Sequence, residues 1–156
     1  MNIILSIKPK WAELIYSGKK TIEWRKSWPK YEQFEFYHVG KVFLYETAPV
    51  KMITGYFELN GCRELIIRDD IEKKYKDIHP DAKEVIAAGC VPLEDLKKYQ
   101  GKNFSLFGWR IKNPTKFEEP LPLSYLDLKR PPQSWCYDRL NASTGLDPIP
   151  NIEGIL

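Results

Sequence analysis

Long hydrophobic runs are missing from this sequence of 156 residues. The longest strictly apolar stretches, such as the one from Val42 to Tyr45, span about four residues, whereas a helix that crosses a bilayer needs about 20. The N-terminal sequence MNIILSIKPK has no basic start followed by a long apolar stretch, so it does not resemble a signal peptide. We therefore expect a cytoplasmic protein with no membrane partner.

Cysteine and histidine are also scarce. The three cysteines, Cys62, Cys90 and Cys136, form no C-x-x-C pair, and an odd number without framework spacing is typical of free thiols in a reducing compartment. The two histidines, His38 and His79, stand apart from each other and from the cysteines. The sequence therefore predicts no metal site.

Common catalytic signatures are absent as well. The sequence contains no G-x-S-x-G, no P-loop and no G-x-G-x-x-G, so it favours neither a serine hydrolase of that type nor a nucleotide-triphosphate enzyme. We predict no bound cofactor. The thiol of Cys90 follows a predicted helix without an activating neighbour in sequence, which favours an inert cysteine.

Positive charge is concentrated near the N-terminus. The net charge of the chain is only +3. Residues 1–30, however, hold seven Lys or Arg and two Glu, while the remainder holds 17 basic and 19 acidic residues. A local basic patch favours anionic partners such as phosphate backbones. Charge alone is nevertheless explained as well by a solvated lysine-rich surface, which we favour at this point.

Hydrophobic periodicity predicts an α+β fold. Alternation indicates several short strands, and helical spacing with Pro9 and Gly18 at its ends indicates a helix over about 9–17. The predicted strands are NIILSIK, TIEWR, VFLYE, KMITGYFEL, FSLFGWRIK and a last one within RPPQSWCYD. Short strands in this number close most economically into a small barrel. We expect one domain over residues 1–140, with a charged helical insert at about 61–100 and a tail over 141–156.

The stretch SGKKTIEWRKSWP carries the candidate site. On a strand, Glu23 and Arg25 share a face about 6.5–7 Å apart. The carboxylate could accept hydrogen bonds from a base, and the guanidinium and Lys20 could hold a phosphate. Trp24 and Trp28 could offer stacking planes. An exposed Glu–Arg pair, worth about 0–1 kcal/mol, explains the spacing equally simply, and spacing alone favours it.

A resemblance supports the site. ILSIKPKWAELIYSGKKTIEWRKSWP resembles the start of ASCH domains, in the PUA-like superfamily, and their G-x-K-x-x-E-x-R signature matches at Gly18, Lys20, Glu23 and Arg25. Three further segments match in order: VFLYETAPVKMITGYFEL, FGWRIKNPTKFEEPLPL and RPPQSWCYD. The resemblance covers about residues 3–138 and points to stand-alone bacterial and phage members. It implies a small PUA-like β-barrel with flanking helices and a cleft at the signature.

The resemblance also implies a function connected with RNA, nucleotides or modified nucleosides. Some compact members are amidohydrolases that act on acylated cytidine, and one subgroup has ribonuclease activity. The amidohydrolases pair the signature lysine with a threonine nucleophile at the position that Glu23 occupies here, and Thr21 is not in register with it. This departure argues against a threonine-type amidase, although Lys20 and Glu23 remain candidates for acid–base catalysis.

We therefore expect an RNA- or nucleoside-binding module, with a hydrolase acting on RNA or a modified nucleoside as one alternative and a protein-interaction adaptor built on the insert as another. Oligomeric state is left open. We expect Arg25→Ala to weaken binding without affecting folding. The predicted ligand-binding residues are Lys20, Thr21, Glu23, Arg25, Ser6, Lys8, Thr47, Ser134 and Trp135.

Overall fold

The structure is a computed structural model that describes residues 2–29, 40–67 and 82–138. The predicted helical stretch RDDIEKKYKDI and the predicted tail over 141–156 lie outside the described residues. In the part that is described, no helix is both long and apolar enough to span a bilayer.

Six strands and three α-helices form the described part of the chain. The strands are β1 (Ile3–Ile7), β2 (Ile22–Arg25), β3 (Lys41–Glu46), β4 (Met52–Leu65), β5 (Leu106–Leu121) and β6 (Trp135–Tyr137). The helices are α1 (Pro9–Tyr16), α2 (Ala82–Ala88), α3 (Leu93–Gln100) and a 3-10 turn (Leu123–Leu126). The α+β class is confirmed.

The strands make one sheet in the order β2-β5-β4-β3-β1-β6. Strand β1 pairs in parallel with β3, and the remaining pairs are antiparallel. All five residues of β1 are buried because the strand lies between β3 and β6 and both of its faces are covered. The predicted strand KMITGYFEL lies in β4, which pairs antiparallel with β3 and β5.

Strands β4 and β5 are longer than their hydrophobic patterns suggest. Strand β4 continues to Leu65, so residues 61–65 are strand and not the beginning of the helical insert. Strand β5 continues through Pro114 and Pro120 to Leu121. The β4–β5 register shifts at several bulges, and both prolines fall between the paired positions. A proline can occupy a strand at such places because no ladder hydrogen bond is required from it.

Side chains join the two ends of the curled sheet. The Nε1 of Trp135, at the start of β6, donates to Ser27 Oγ at 3.0 Å. Trp109 Nε1 on β5 donates to the Ser27 carbonyl, also at 3.0 Å. The rings of Trp109 and Trp135 meet edge to face, with centroids 5.4 Å apart. We call these three residues the seam, since they bring β6 against the end of β2.

The largest core lies between the concave face of the sheet and α1. It contains fully buried side chains from β1, β3, β4 and β5 together with Ala12 and Ile15 of α1. Helix α1 begins at Pro9, whose fixed φ suits the first helical turn. The helix is followed by Gly18 at a φ of 75°, a conformation that favours glycine. This turn returns the chain to the sheet and places Lys20 at the entrance to β2.

Candidate functional site

Lys20, immediately before β2, is almost completely buried, with 1% of its surface exposed. Its ammonium lies 3.1 Å from Glu23 Oε2 and donates to the Gly89 carbonyl at 2.5 Å. It also lies 5.3 Å from the centroid of the Trp11 ring. The Gly89 carbonyl directly follows α2, where the helix dipole favours a cation. The burial of Lys20 is therefore compensated by a carboxylate, a carbonyl and an aromatic face.

Glu23 occupies the middle of the cluster. It lies on β2 opposite Trp109 of β5. Its Oε1 is 2.9 Å from Arg25 Nη2, and its Oε2 is held by Lys20. Each carboxylate oxygen therefore already accepts from one cation, and a base could contact Glu23 only through the remaining lone pairs of a residue that is 6% exposed.

Arg25 completes the cluster at the end of β2. Its Nη2 also donates to the Ser6 carbonyl at 2.8 Å, and its Nη1 reaches Ser134 Oγ at 3.3 Å. Its buried Nε has no hydrogen-bond partner among the described residues. We refer to Lys20, Glu23 and Arg25 as the triad. Two cations share one carboxylate in it, so the triad carries a net charge of +1 in a largely desolvated position.

The insert holds the beginning of β2 in place. The backbone N–H of Thr21 donates to the Ala88 carbonyl at 2.9 Å, and Cys90 Sγ donates to the Lys19 carbonyl at 3.3 Å. Together with the bond from Lys20 to Gly89, these contacts fasten the turn after α2 onto the signature segment. The insert thus forms one wall of the triad.

A sequence model of the ASCH domain matches residues 5–121, a span that contains the whole triad and Gly18. The chain belongs to the ASCH domain family. The predicted family is confirmed. ASCH domains have the PUA-like, RNA-binding type of fold, and membership supports a general RNA-binding module. No curated protein matches closely enough to add a relative of known activity.

Solved structures support the same fold. The crystal structure of ASCH from Zymomonas mobilis has a TM-score of 0.66 to this chain at 18% sequence identity, covering 87% of this chain and 86% of that one. Two mutant structures of the same ASCH protein have TM-scores of 0.64 at 18% identity, covering 87% of this chain and 87% and 88% of theirs. At this identity the likeness shows the fold alone, and it confirms the predicted PUA-like architecture.

Two of the other predicted ligand residues contact the triad of this ASCH domain. The Ser134 hydroxyl oxygen accepts a hydrogen bond from Arg25 Nη1. The Ser6 backbone carbonyl accepts from Arg25 Nη2, and the Ser6 hydroxyl donates to the Pro132 carbonyl at 2.6 Å. These contacts connect Arg25 with β1 and with the segment that leads into β6. In the strand order, β1 and β6 lie at the opposite end of the sheet from β2.

The remaining predicted ligand residues have other contacts. Thr21 is exposed beside Lys20 and bonds through its backbone. Lys8 is exposed, and its carbonyl caps the first turn of α1. Thr47 is half-buried after β3, with its N–H bonded to the Ile7 carbonyl. Trp135 is half-buried in the seam. Their role in binding remains a prediction.

The expectation that Trp24 provides a stacking plane is wrong. Its side chain is only 4% exposed and packs with Leu96 and Leu106 in a core beneath the insert. Because Trp24 alternates with Glu23 and Arg25 along β2, it points to the opposite face, which α3 covers. Trp28 is half-buried and packs against the main core.

Sequence reasoning missed two residues around the triad. Gly89 supplies a carbonyl to Lys20, and Tyr99 of α3 presents an exposed ring beside Lys26. Neither is indicated by a local pattern, since Gly89 reaches Lys20 and Tyr99 reaches Lys26 only after the insert folds back onto β2. A cavity of about 480 Å³ also lies on the insert, lined by residues that include Ile86, Cys90 and Leu93, and none of the triad residues lines it.

Gly89→Ala should destabilise the ASCH domain by about 1–3 kcal/mol, the usual cost of an overpacked core. Gly89 has no left-handed φ, so the effect comes from contact alone: an added Cβ would overlap Nε1 and Cδ1 of Trp24. Urea denaturation monitored by circular dichroism measures the cost. In a Trp24→Leu background the same substitution should cost clearly less, and an undiminished cost would contradict this account of the contact.

Proposed function

We propose that this ASCH domain binds RNA at the triad, with Arg25 and Lys20 attracting a backbone phosphate and Glu23 fixing the positions of both cations. The single observation that carries the proposal is the excess positive charge of the buried triad, two cations to one carboxylate. A phosphate oxygen would balance this charge.

The fork of Arg25 suits such a ligand. A guanidinium presents several N–H donors in a plane and can hold a phosphate through two of them at once. Here Nη2 is anchored by Glu23 and the Ser6 carbonyl, so the orientation of the fork is set before any ligand arrives. Nη1 makes only the longer contact with Ser134. Nη1 is therefore the least engaged donor of the fork that a ligand could reach, and it is the donor that a phosphate would use.

Arg25→Lys should weaken RNA binding about ten-fold or more, because hydrogen bonds to charged groups contribute about 1.5–3 kcal/mol and a lysine cannot reproduce the planar fork. Fluorescence anisotropy with a labelled single-stranded RNA decamer measures the affinity. A salt series should show binding that falls as salt rises. The proposal fails if the variant and the wild type bind equally.

Arg110→Lys is the matched control. Arg110 is exposed on β5 opposite Ile22, so the same chemical change occurs on a neighbouring strand but outside the triad. We expect its RNA affinity to stay within about two-fold of wild type, since surface charges away from specific contacts contribute little. An equal loss in both arginine variants would indicate general charge attraction rather than a site at the triad.

Hydrolysis is the alternative function, and a turnover assay separates it from binding. The 3.1 Å contact between Lys20 and Glu23 brings together two groups that could exchange a proton during catalysis. Each oxygen of Glu23, however, is in an ion pair with a cation, which favours a structural role for this carboxylate. Turnover of labelled RNA or of acylated cytidine that Glu23→Gln abolishes in folded protein would establish the hydrolase.

A further inference from the structure

An exposed aromatic ring lies beside the residue that follows β2. Tyr99 lies in the last turn of α3 and is 37% exposed, which places it among the few large apolar side chains on the described surface. In single-strand binders, bases stack on rings of this kind, next to a positively charged path for the backbone.

Lys26 ties Tyr99 to the end of β2. Its ammonium lies 5.0 Å from the centroid of the Tyr99 ring, within the range of a cation–π contact. Lys26 directly follows Arg25 in the chain, so the Tyr99 ring lies beside the residue that comes next after the triad.

The electrostatic environment of Tyr99 points to the same neighbourhood. Burial raises the pKa of Tyr99, Arg25 opposes the rise and Glu23 adds to it. The phenol therefore interacts with the charges of Arg25 and Glu23, and because its pKa is raised it remains neutral at physiological pH. A neutral ring can stack on a base without repelling the adjoining phosphate.

The end of α3 is held rigidly. Gln100, buried beside Tyr99, accepts from the Ile67 N–H at 3.1 Å and donates to the carbonyls of Ile67, Asn103 and Phe104 at 3.2–3.3 Å. The amide thus fastens the last turn of the helix to the end of β4 and to the loop before β5. A ring held on a fixed turn loses little conformational entropy when a base stacks on it.

We propose that Tyr99 and Lys26 form a nucleotide subsite next to the triad, in which a nucleobase of single-stranded RNA stacks on the Tyr99 ring and the Lys26 ammonium meets the adjoining phosphate. This subsite rests on the proposed function, because the triad supplies the neighbouring backbone contact. It replaces Trp24, which is buried, as the stacking residue of the site.

The test compares two ligands. Anisotropy is measured with a fluorescein-labelled RNA decamer of mixed sequence and with an abasic analogue of the same length and charge. Tyr99→Leu should lower affinity for the RNA about five- to 150-fold, the range reported for loss of one stacked base, and should leave affinity for the abasic analogue unchanged. Tyr99→Phe should retain most of the RNA affinity, because the ring remains.

Phe104→Leu is the matched control, since Phe104 is the most exposed large apolar side chain described, at 62%, and the change is again an aromatic ring to leucine. Its RNA affinity should match wild type. The subsite is overturned if Tyr99→Leu binds RNA with wild-type affinity, or if its affinity for the abasic analogue falls as much as its affinity for RNA. It is also overturned if Phe104→Leu lowers the RNA affinity as much as Tyr99→Leu does. Circular dichroism confirms that each variant is folded.

The two proposals fail in different ways. If Arg25→Lys keeps wild-type RNA affinity while Tyr99→Leu loses affinity, the triad is not the phosphate site. The stated position of the subsite next to it is then overturned as well. A loss in Arg25→Lys with none in Tyr99→Leu overturns the subsite and leaves the triad. Absence of wild-type binding to the decamer overturns both.

Discussion

Glu23→Gln should destabilise the protein by about 3–5 kcal/mol, the range found when one partner of a buried ion pair is removed. The substitution keeps the size of the side chain and removes its charge. It leaves the ammonium of Lys20 and the guanidinium of Arg25, at 1% and 9% exposure, without an anion. Urea denaturation gives the free energy of unfolding, and the midpoint should shift strongly downward.

Glu13→Gln provides the matched comparison. Glu13 forms an ion pair with Lys116 at 3.2 Å, but both side chains are more than half exposed. The same Glu-to-Gln change there should cost no more than about 1 kcal/mol, as for other surface pairs. Similar losses of unfolding free energy at Glu13 and Glu23 would show that the triad is solvated in solution and holds no buried excess charge.

A neutral replacement of the whole triad separates folding from binding. Lys20→Met, Glu23→Leu and Arg25→Met together remove the charges and keep apolar volume, and such exchanges are often neutral or stabilising by about 1–4 kcal/mol. We expect the triple variant to fold and to lose RNA binding. Loss of folding instead would mean that the triad is needed mainly to specify the structure.

Burial also changes the expectation for Arg25→Ala. From the sequence, this substitution was expected to weaken binding and leave folding intact. In the structure, Arg25 supports Glu23, the Ser6 carbonyl and Ser134, so alanine removes one of two cations from a buried carboxylate. Such a loss falls in the same range as Glu23→Gln, about 3–5 kcal/mol. For this reason Arg25→Lys is the better probe of binding.

Local patterns were sufficient to predict the elements that carry the signature. Alternating apolar residues indicated β1, Pro9 and Gly18 delimited α1, and β-branched and aromatic residues indicated β2. The common face of Glu23 and Arg25 followed from strand periodicity. These properties depend on residues a few positions apart, which is the distance over which propensity and capping act.

The burial of the triad could not be predicted in this way. A charged strand face is compatible with solvent, with a cleft or with an internal ion cluster, and periodicity does not distinguish them. The decision is made by contacts between distant parts of the chain: the Gly89 carbonyl on Lys20, and the Ser6 carbonyl and Ser134 hydroxyl on Arg25. For the same reason the sequence assigned stacking to Trp24, which the insert covers.

Trp109→Ala should destabilise the protein by about 3–5 kcal/mol, the usual cost of truncating a buried tryptophan. Trp109 is completely buried, lies opposite Glu23 and belongs to the seam. Its loss leaves a cavity beneath the triad and removes a contact between the sheet ends. Thermal and urea unfolding measure the cost. Trp109→Phe, which keeps an aromatic ring and loses the Ser27 bond, should cost clearly less.

The seam itself is tested by a double-mutant cycle between Trp109 and Trp135. Their edge-to-face contact should give a coupling energy of about 0.5–1.5 kcal/mol, so the double alanine variant should be more stable than the sum of the single losses predicts. Additive losses would mean that the rings do not meet in solution. Strand β6 would then be held against the end of β2 by hydrogen bonds such as that from Trp135 to Ser27, without help from the ring contact. The coupling energy therefore measures how much the aromatic contact adds to closure of the sheet beside the triad.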